Sequence, residues 1–147
     1  MKVYLDHSAT TPVDPQVLKE LKPYFTEKFG NPSSIHEWGQ ITAKAVQNSR
    51  NKIADFLNSE PEEVVFTSGA TEANNLALKG IMEKQSNKHF IVSAVEHHAV
   101  LETTHKLEKK GVKVTYLDVD KNGRVSLENL KKAIRPETIL VSIMYVN

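Results

Sequence analysis

Hydrophobic positions along this chain follow two different rhythms. Up to about residue 58 they recur at helical spacing between proline and glycine breaks; beyond it, short apolar runs alternate with amphipathic stretches. In the first part, residues 3–5 read as a short strand that stops at the polar Asp6-His7-Ser8. Asp14 before Pro15 is the pattern of an N-cap with proline at the first helical position. Val17, Leu18 and Leu21 then share one helix face, and Pro23 kinks or ends that helix. The stretch FGNPSSIHEWG, residues 29–39, has turn formers and no clear period, and long irregular segments in compact domains are often functional. From residue 40 to 57, Ile41, Ala45, Val46, Ile53, Phe56 and Leu57 fit a helix that Pro61 prevents from running on.

The second part alternates more regularly. EVVFT (63–67) predicts a strand, residues 71–83 a helix, HFIVSAV (89–95) a strand, and residues 97–110 a helix closed by Gly111 as its C′ glycine. VKVTYLDV (112–119) predicts a strand leading through the turn DKNG to a helix over 126–134, with Ser126 as N-cap. Arg135-Pro136 breaks that helix, and TILVSIMYV (138–146) is a strongly apolar strand. Strands alternating with helices of this length imply βαβ crossovers and a mostly parallel sheet, and the apolar runs suit strands buried on both faces. The expected class is therefore α/β, an incomplete three-layer sandwich, with an N-terminal segment at 1–58 and a sheet-containing domain at 59–147. The sequence stops at Asn147, directly after its most hydrophobic strand, so the expectation is that the domain is cut short.

Composition narrows the function classes. The 147 residues suffice for one domain with a real core, and 39% hydrophobic with 25% charged residues is a soluble globular balance. A net charge of +1 gives no electrostatic reason to expect nucleic acid or an anionic membrane as partner. The absence of cysteine excludes disulfides, thiolate metal sites and a cysteine nucleophile supplied by these residues. The N-terminus lacks a signal-peptide apolar region, and no run approaches the roughly 20 apolar residues of a membrane span. The expected location is cytoplasmic.

Two constellations carry candidate chemistry. In VVFTSGATEANNLALKG (64–80), a predicted strand meets a helix start through Ser68-Gly69. Backbone N–H groups at a helix start, with the helix dipole, suit a phosphate, and the Ser68 and Thr71 hydroxyls would add hydrogen bonds. A capped helix after a tight turn explains the same residues, and spacing leaves both readings open. The second is Glu96-His97-His98, following a buried strand. A histidine there suits stacking on a ligand ring or proton relay, whereas a plain surface or helix-start histidine is equally compatible. As metal ligands the pair is poor, because adjacent helical residues point about 100° apart; no metal site is expected. The segments DHSATTP and GNPSSIH read as substrate-gating loops or as solvated connections.

Taken together, YLDHSATTPVDPQV, FGNPSSIHEWG, VVFTSGATEANNLALKG, SAVEHHAVLET and ILVSIMYVN, in this order and spacing, resemble the cysteine desulfurases of iron–sulfur cluster assembly. These belong to the class-V aminotransferase group of fold type I, and the resemblance runs from Val3 to Asn147. It implies pyridoxal 5'-phosphate as cofactor, its phosphate held by the Ala70 backbone and the Thr71 hydroxyl. It further implies that His97 stacks on the pyridine ring and assists proton transfer, as both a cofactor-binding and a catalytic residue. Residues 7–11 and 31–36 would lie near the active-site entrance beside a partner subunit. The implied reaction takes L-cysteine to L-alanine and an enzyme-bound persulfide, a sulfur transfer, in a homodimer that serves a sulfur-acceptor scaffold protein.

The departures from the pattern are large. The family motif continues from Val-Asn into a second asparagine, which faces the cofactor, and a glutamate. The aspartate that pairs with the pyridine nitrogen, the Schiff-base lysine and the domain with the catalytic cysteine are likewise absent from the sequence. The chain alone is expected to be inactive. A non-catalytic fragment or pseudo-enzyme pairing with a full-length relative, a class-V aminotransferase and a selenocysteine lyase stand as alternatives.

Overall fold

The computed structural model describes residues 1–81 and 88–146, in two compact units, Met1–Val65 and Phe66–Asn147. The division falls later in the chain than the 58/59 boundary read from the pattern.

The N-terminal unit is helical. In α1 (Pro15–Leu21) the Asp14 carboxylate accepts from the Gln16 N–H at 2.7 Å and the Val17 N–H at 3.4 Å, the expected cap. Pro23 has no N–H to continue that ladder and instead opens a separate turn, α2 (Pro23–Thr26). The long helix α3 (Glu37–Leu57) begins earlier than predicted, because His36 caps it: its Nδ1 accepts from the Gly39 N–H at 3.4 Å. Asn58, at φ 53°, ends α3 in the left-handed region. Pro61–Glu63 then forms a single 3₁₀ turn closed by the Glu60 N–H donating to Glu63 Oε2 at 2.8 Å.

Two strand predictions fail. Residues 3–5 form no strand among the described residues; Tyr4 instead shares a 2.6 Å hydrogen bond with Thr10 Oγ1 beside a turn at Asp6. Val64 has an extended backbone (φ −88°, ψ 116°), yet residues 63–67 join no ladder, and the Val64 carbonyl accepts from the Arg50 guanidinium. A strand needs a neighbour, and apolar β-branched sequence does not supply one.

The C-terminal unit is α/β, as expected. Its elements are α4 (Ala70–Gly80), β1 (His89–Ser93), α5 (His98–Glu108), β2 (Lys113–Leu117), α6 (Leu127–Ala133) and β3 (Thr138–Ser142). The last part of the predicted 71–83 helix lies outside the described residues. The three strands form a parallel sheet in the order β2-β1-β3, with Phe90 opposite Val114 on one side and Leu140 on the other. All five β1 residues are buried, as suits the middle strand of a parallel sheet. Phe90 and Val92 pack with Leu78 of α4 and Val100 and Leu107 of α5, placing both helices on one face. Alternation sends His89, Ile91 and Ser93 the other way. Gly111, at φ 93°, turns the chain out of α5, and Asp120 Oδ1, accepting from the Asn122 and Arg124 N–H groups, closes the turn before α6. β3 is shorter than predicted, because the Met144 N–H leaves the ladder for the Glu96 carboxylate.

Candidate functional site

The N-terminus of α4 is an open donor cluster. Gly69 stands at the N-cap and no side chain caps the helix; the ladder begins with the Ala73 N–H on the Gly69 carbonyl at 3.1 Å. The N–H groups of Ala70, Thr71 and Glu72 precede that first bond and have no intrahelical acceptor. A Cβ built on Gly69 would meet nothing within 4 Å, so the approach is unobstructed. Thr71 is exposed, and among the described residues its hydroxyl has no partner.

Ser68 departs from the sequence reading. Its hydroxyl and its N–H both donate to Glu72 Oε2, at 2.6 and 2.7 Å. Those bonds, the hydroxyl first, hold the Glu72 carboxyl below its ordinary range. Ser68 is thus committed to bracing the helix start and is not a spare donor. The remaining set, three backbone N–H groups at a helix N-terminus with one free hydroxyl, fits a phosphate monoester such as that of pyridoxal 5'-phosphate.

His97 follows β1 through the short link 94–96, at the carboxyl end of the sheet where open α/β folds bind ligands. It is the N-cap of α5 rather than a residue within it, with Nδ1 accepting from the Ala99 N–H at 3.1 Å. That bond fixes the ring and leaves the neutral tautomer's proton on Nε2. The ring is exposed, and His98 lies edge-on at 6.3 Å. Among the described residues no three His, Cys, Asp or Glu side chains are grouped to hold a metal ion.

The two candidate elements are joined by a residue that the sequence reading passed over. Asn75 Nδ2 donates to the Thr71 carbonyl at 2.9 Å, and Asn75 Oδ1 accepts from Thr103 Oγ1 of α5 at 3.1 Å. The bridge holds the first turn of α4 against the helix that His97 begins. Its signal in the sequence was the spacing of four between Thr71 and Asn75, which puts them on one face. Glu96, which stands in the Glu96-His97-His98 constellation but has no role of its own in the sequence pattern, is 7% exposed, and its carboxylate accepts from Ser142 Oγ at 3.3 Å as well as from the Met144 N–H.

The two N-terminal segments do local work in their own unit. His7 stands edge-on to Tyr4, at 5.2 Å. Asn31 Oδ1 accepts from the Ser33 N–H at 2.9 Å, and His36 caps α3. A Cβ on Gly39 would lie 2.2 Å from the Ser34 carbonyl oxygen, so the 31–34 loop packs against α3 only because residue 39 is glycine.

The sequence model of the aminotransferase class-V family matches residues 3–147. The cysteine desulfurase IscS of Dictyoglomus turgidum is 52% identical over 148 residues, which cover 99% of this chain and 38% of that protein. The putative cysteine desulfurase IscS 1 of Bacillus subtilis is 49% identical over 99% of this chain and 39% of its own length. Among solved structures, a NifS-like protein superposes with a TM-score of 0.90 at 42% identity, over 96% of this chain and 39% of that one. SspA in complex with cysteine superposes at 0.88 and 42% identity, over 94% and 40%. The chain thus spans well under half the length of the curated relatives it matches.

Proposed function

Because this chain belongs to the class-V aminotransferase family, we propose that it supplies the phosphate-holding and ring-stacking part of a pyridoxal 5'-phosphate-dependent cysteine desulfurase. The observation that carries the reading is the uncapped start of α4, open in front of Gly69 and backed by the free Thr71 hydroxyl. The Ala70 and Thr71 N–H groups and Thr71 Oγ1 hold the phosphate, and Asn75 keeps that turn beside α5. The His97 ring, anchored through Nδ1, would stack on the cofactor ring and have its Nε2 proton available for transfer. The bound cofactor supplies the electron sink that the chemistry at the substrate amino acid's α-carbon requires.

L-Cysteine as substrate is supported by the identity to cysteine desulfurases and by the likeness to SspA in complex with cysteine. The products are then L-alanine and a persulfide destined for a sulfur-acceptor scaffold protein of iron–sulfur cluster assembly, in a cytoplasmic homodimer. These 147 residues contain no cysteine, so the persulfide forms on a residue outside them, and by themselves they do not turn over cysteine. That same observation favours a second reading, a non-catalytic chain that pairs with a full-length relative.

Pyridoxamine 5'-phosphate is the probe of choice, since it has no aldehyde to react with surface lysines. Equilibrium dialysis should show binding that pyridoxamine, without the phosphate, does not match, and Thr71→Ala should weaken it several-fold. Equal retention of both compounds, or no effect of Thr71→Ala, overturns the cradle.

A further inference from the structure

Glu96 is a buried carboxylate whose donors are both neutral, the Ser142 hydroxyl at 3.3 Å and the Met144 N–H. Burying a carboxylate is costly unless hydrogen bonds compensate it, so its location calls for a reason beyond packing. The link that carries it is tightly fixed. The Ala94 N–H donates to the Leu117 carbonyl at 2.9 Å, the Val95 N–H to Ser93 Oγ at 3.3 Å, and the Glu96 N–H to the Ser93 carbonyl at 3.3 Å. From that base the side chain crosses from the end of β1 to the end of β3, where it captures the N–H two residues past the strand. The next residue along the chain is His97, whose extended backbone (φ −59°, ψ 147°) opens α5.

We propose that Glu96 is a positioning residue, a strut that locks the ring of His97 and the segment leaving β3 in one fixed relation at the carboxyl edge of the sheet. It touches no ligand and acts through His97; the inference rests on the reading of His97 as the residue that meets the cofactor ring. Without the strut, link 94–96 loses the side-chain tie that joins it to the segment leaving β3. The two sides of a ligand gripped at this edge would then move independently.

The test uses the 147-residue chain, ¹⁵N-labelled, as wild type, Glu96→Ala, Glu96→Gln and Ser142→Ala. Glu96→Ala should speed exchange of the Met144 amide proton about tenfold or more, the worth of a hydrogen bond to a charged group. It should also move the His97 ring nitrogen shifts and the Ala99 amide off their capped values. Glu96→Gln, which keeps an oxygen for the Met144 N–H, should restore both in part. A fall in thermal stability with the His97 and Ala99 signals unmoved overturns the proposal, leaving Glu96 a packing element. If Glu96→Ala does not fold, Ser142→Ala, which frees one carboxylate oxygen, takes its place: movement of the same signals supports the strut, and their staying put overturns it. A ligand measurement adds discrimination: Glu96→Ala should weaken pyridoxamine 5'-phosphate several-fold while leaving inorganic phosphate binding unchanged; equal loss of both overturns the proposal. The nuclear magnetic resonance signals need no ligand. Failure of the wild type to bind pyridoxamine 5'-phosphate therefore sinks the functional reading while the positioning claim is decided separately.

Discussion

His89 is fully buried at the start of β1, with Nδ1 2.8 Å from Thr138 Oγ1 and Nε2 2.8 Å from Thr115 Oγ1. Thr138 Oγ1 also accepts the Arg135 N–H at 2.8 Å. The arrangement in which each hydroxyl makes one bond of each kind it needs directs the Thr138 proton to Nδ1 and leaves the ring proton on Nε2 toward Thr115. In either tautomer, both ring nitrogens are partnered among the described residues only by these two hydroxyls. Replacing Thr115 by valine keeps the shape and removes that acceptor. The ring N–H is then buried without a partner, at a cost of about 1–3 kcal/mol. For a unit of this size each kcal/mol lowers Tm by roughly 4–8 °C. Burial, and after it the Arg135 charge, hold the His89 pKa below its ordinary 6.5. Lys113 adds to that depression and Glu137 opposes it. The folded state therefore keeps the ring neutral at pH values where the unfolded chain takes up a proton. The contribution is intact above about pH 6.5 and is lost as pH falls through the window down to the depressed folded value, with a slope of at most about 1.4 kcal/mol per pH unit for one proton. Urea denaturation between pH 5 and 8 reads both effects. His89→Leu, whatever it does to the absolute stability, should flatten the acid limb relative to wild type. An unchanged acid limb in His89→Leu, or a Thr115→Val cost below about 0.5 kcal/mol, would refute the reasoning.

The two helix-start glycines should behave oppositely. Gly39→Ala drives a methyl into the Ser34 carbonyl and should destabilise the N-terminal unit by about 1–3 kcal/mol, the typical cost of overpacking; Gly69→Ala meets open space and should leave Tm nearly unchanged while weakening phosphate binding. Asn75→Ala removes both bonds of the bridge between α4 and α5, leaving the Thr103 hydroxyl short of its acceptor, and should cost about 1–2 kcal/mol. Amide exchange should localise that loss to the first turn of α4, and uniform loosening of the whole unit would contradict the bridge.

Much of the fold was legible because its signals are local. The Asp14-Pro15 cap, the breaks at Pro23 and Pro61 and the buried run of β1 are set by short-range sterics and burial, whereas β3, expected to be buried on both faces, is only half-buried with Val141 exposed. The strands expected at 3–5 and 63–67 failed because pairing depends on what lies alongside, which the residues themselves do not state. Gly39 looked like a turn former, yet its role is to admit the Ser34 carbonyl of the preceding loop against the helix. At the site, the helix start at Gly69 and the position of His97 could be read from turn and cap chemistry. The diversion of Ser68 to Glu72, the Asn75 bridge and the reach of Glu96 to Met144 could not, because each depends on where a flexible polar side chain finds its partner.

The strand order β2-β1-β3 has a consequence for synthesis. The first strand of this sheet to leave the ribosome is the one that ends in its middle, and both its neighbours are made afterwards. Thr115, on one flank of His89, follows it by 26 residues, and Thr138, on the other, by 49. For that interval β1, whose five residues are all buried in the finished unit, has one or both of its edges unpaired. Loop closure over 49 residues sets when the second edge is covered. A nascent chain arrested before β3 would present to chaperones, or to another nascent chain, the segment His89–Ser93 with one row of backbone donors and acceptors still vacant.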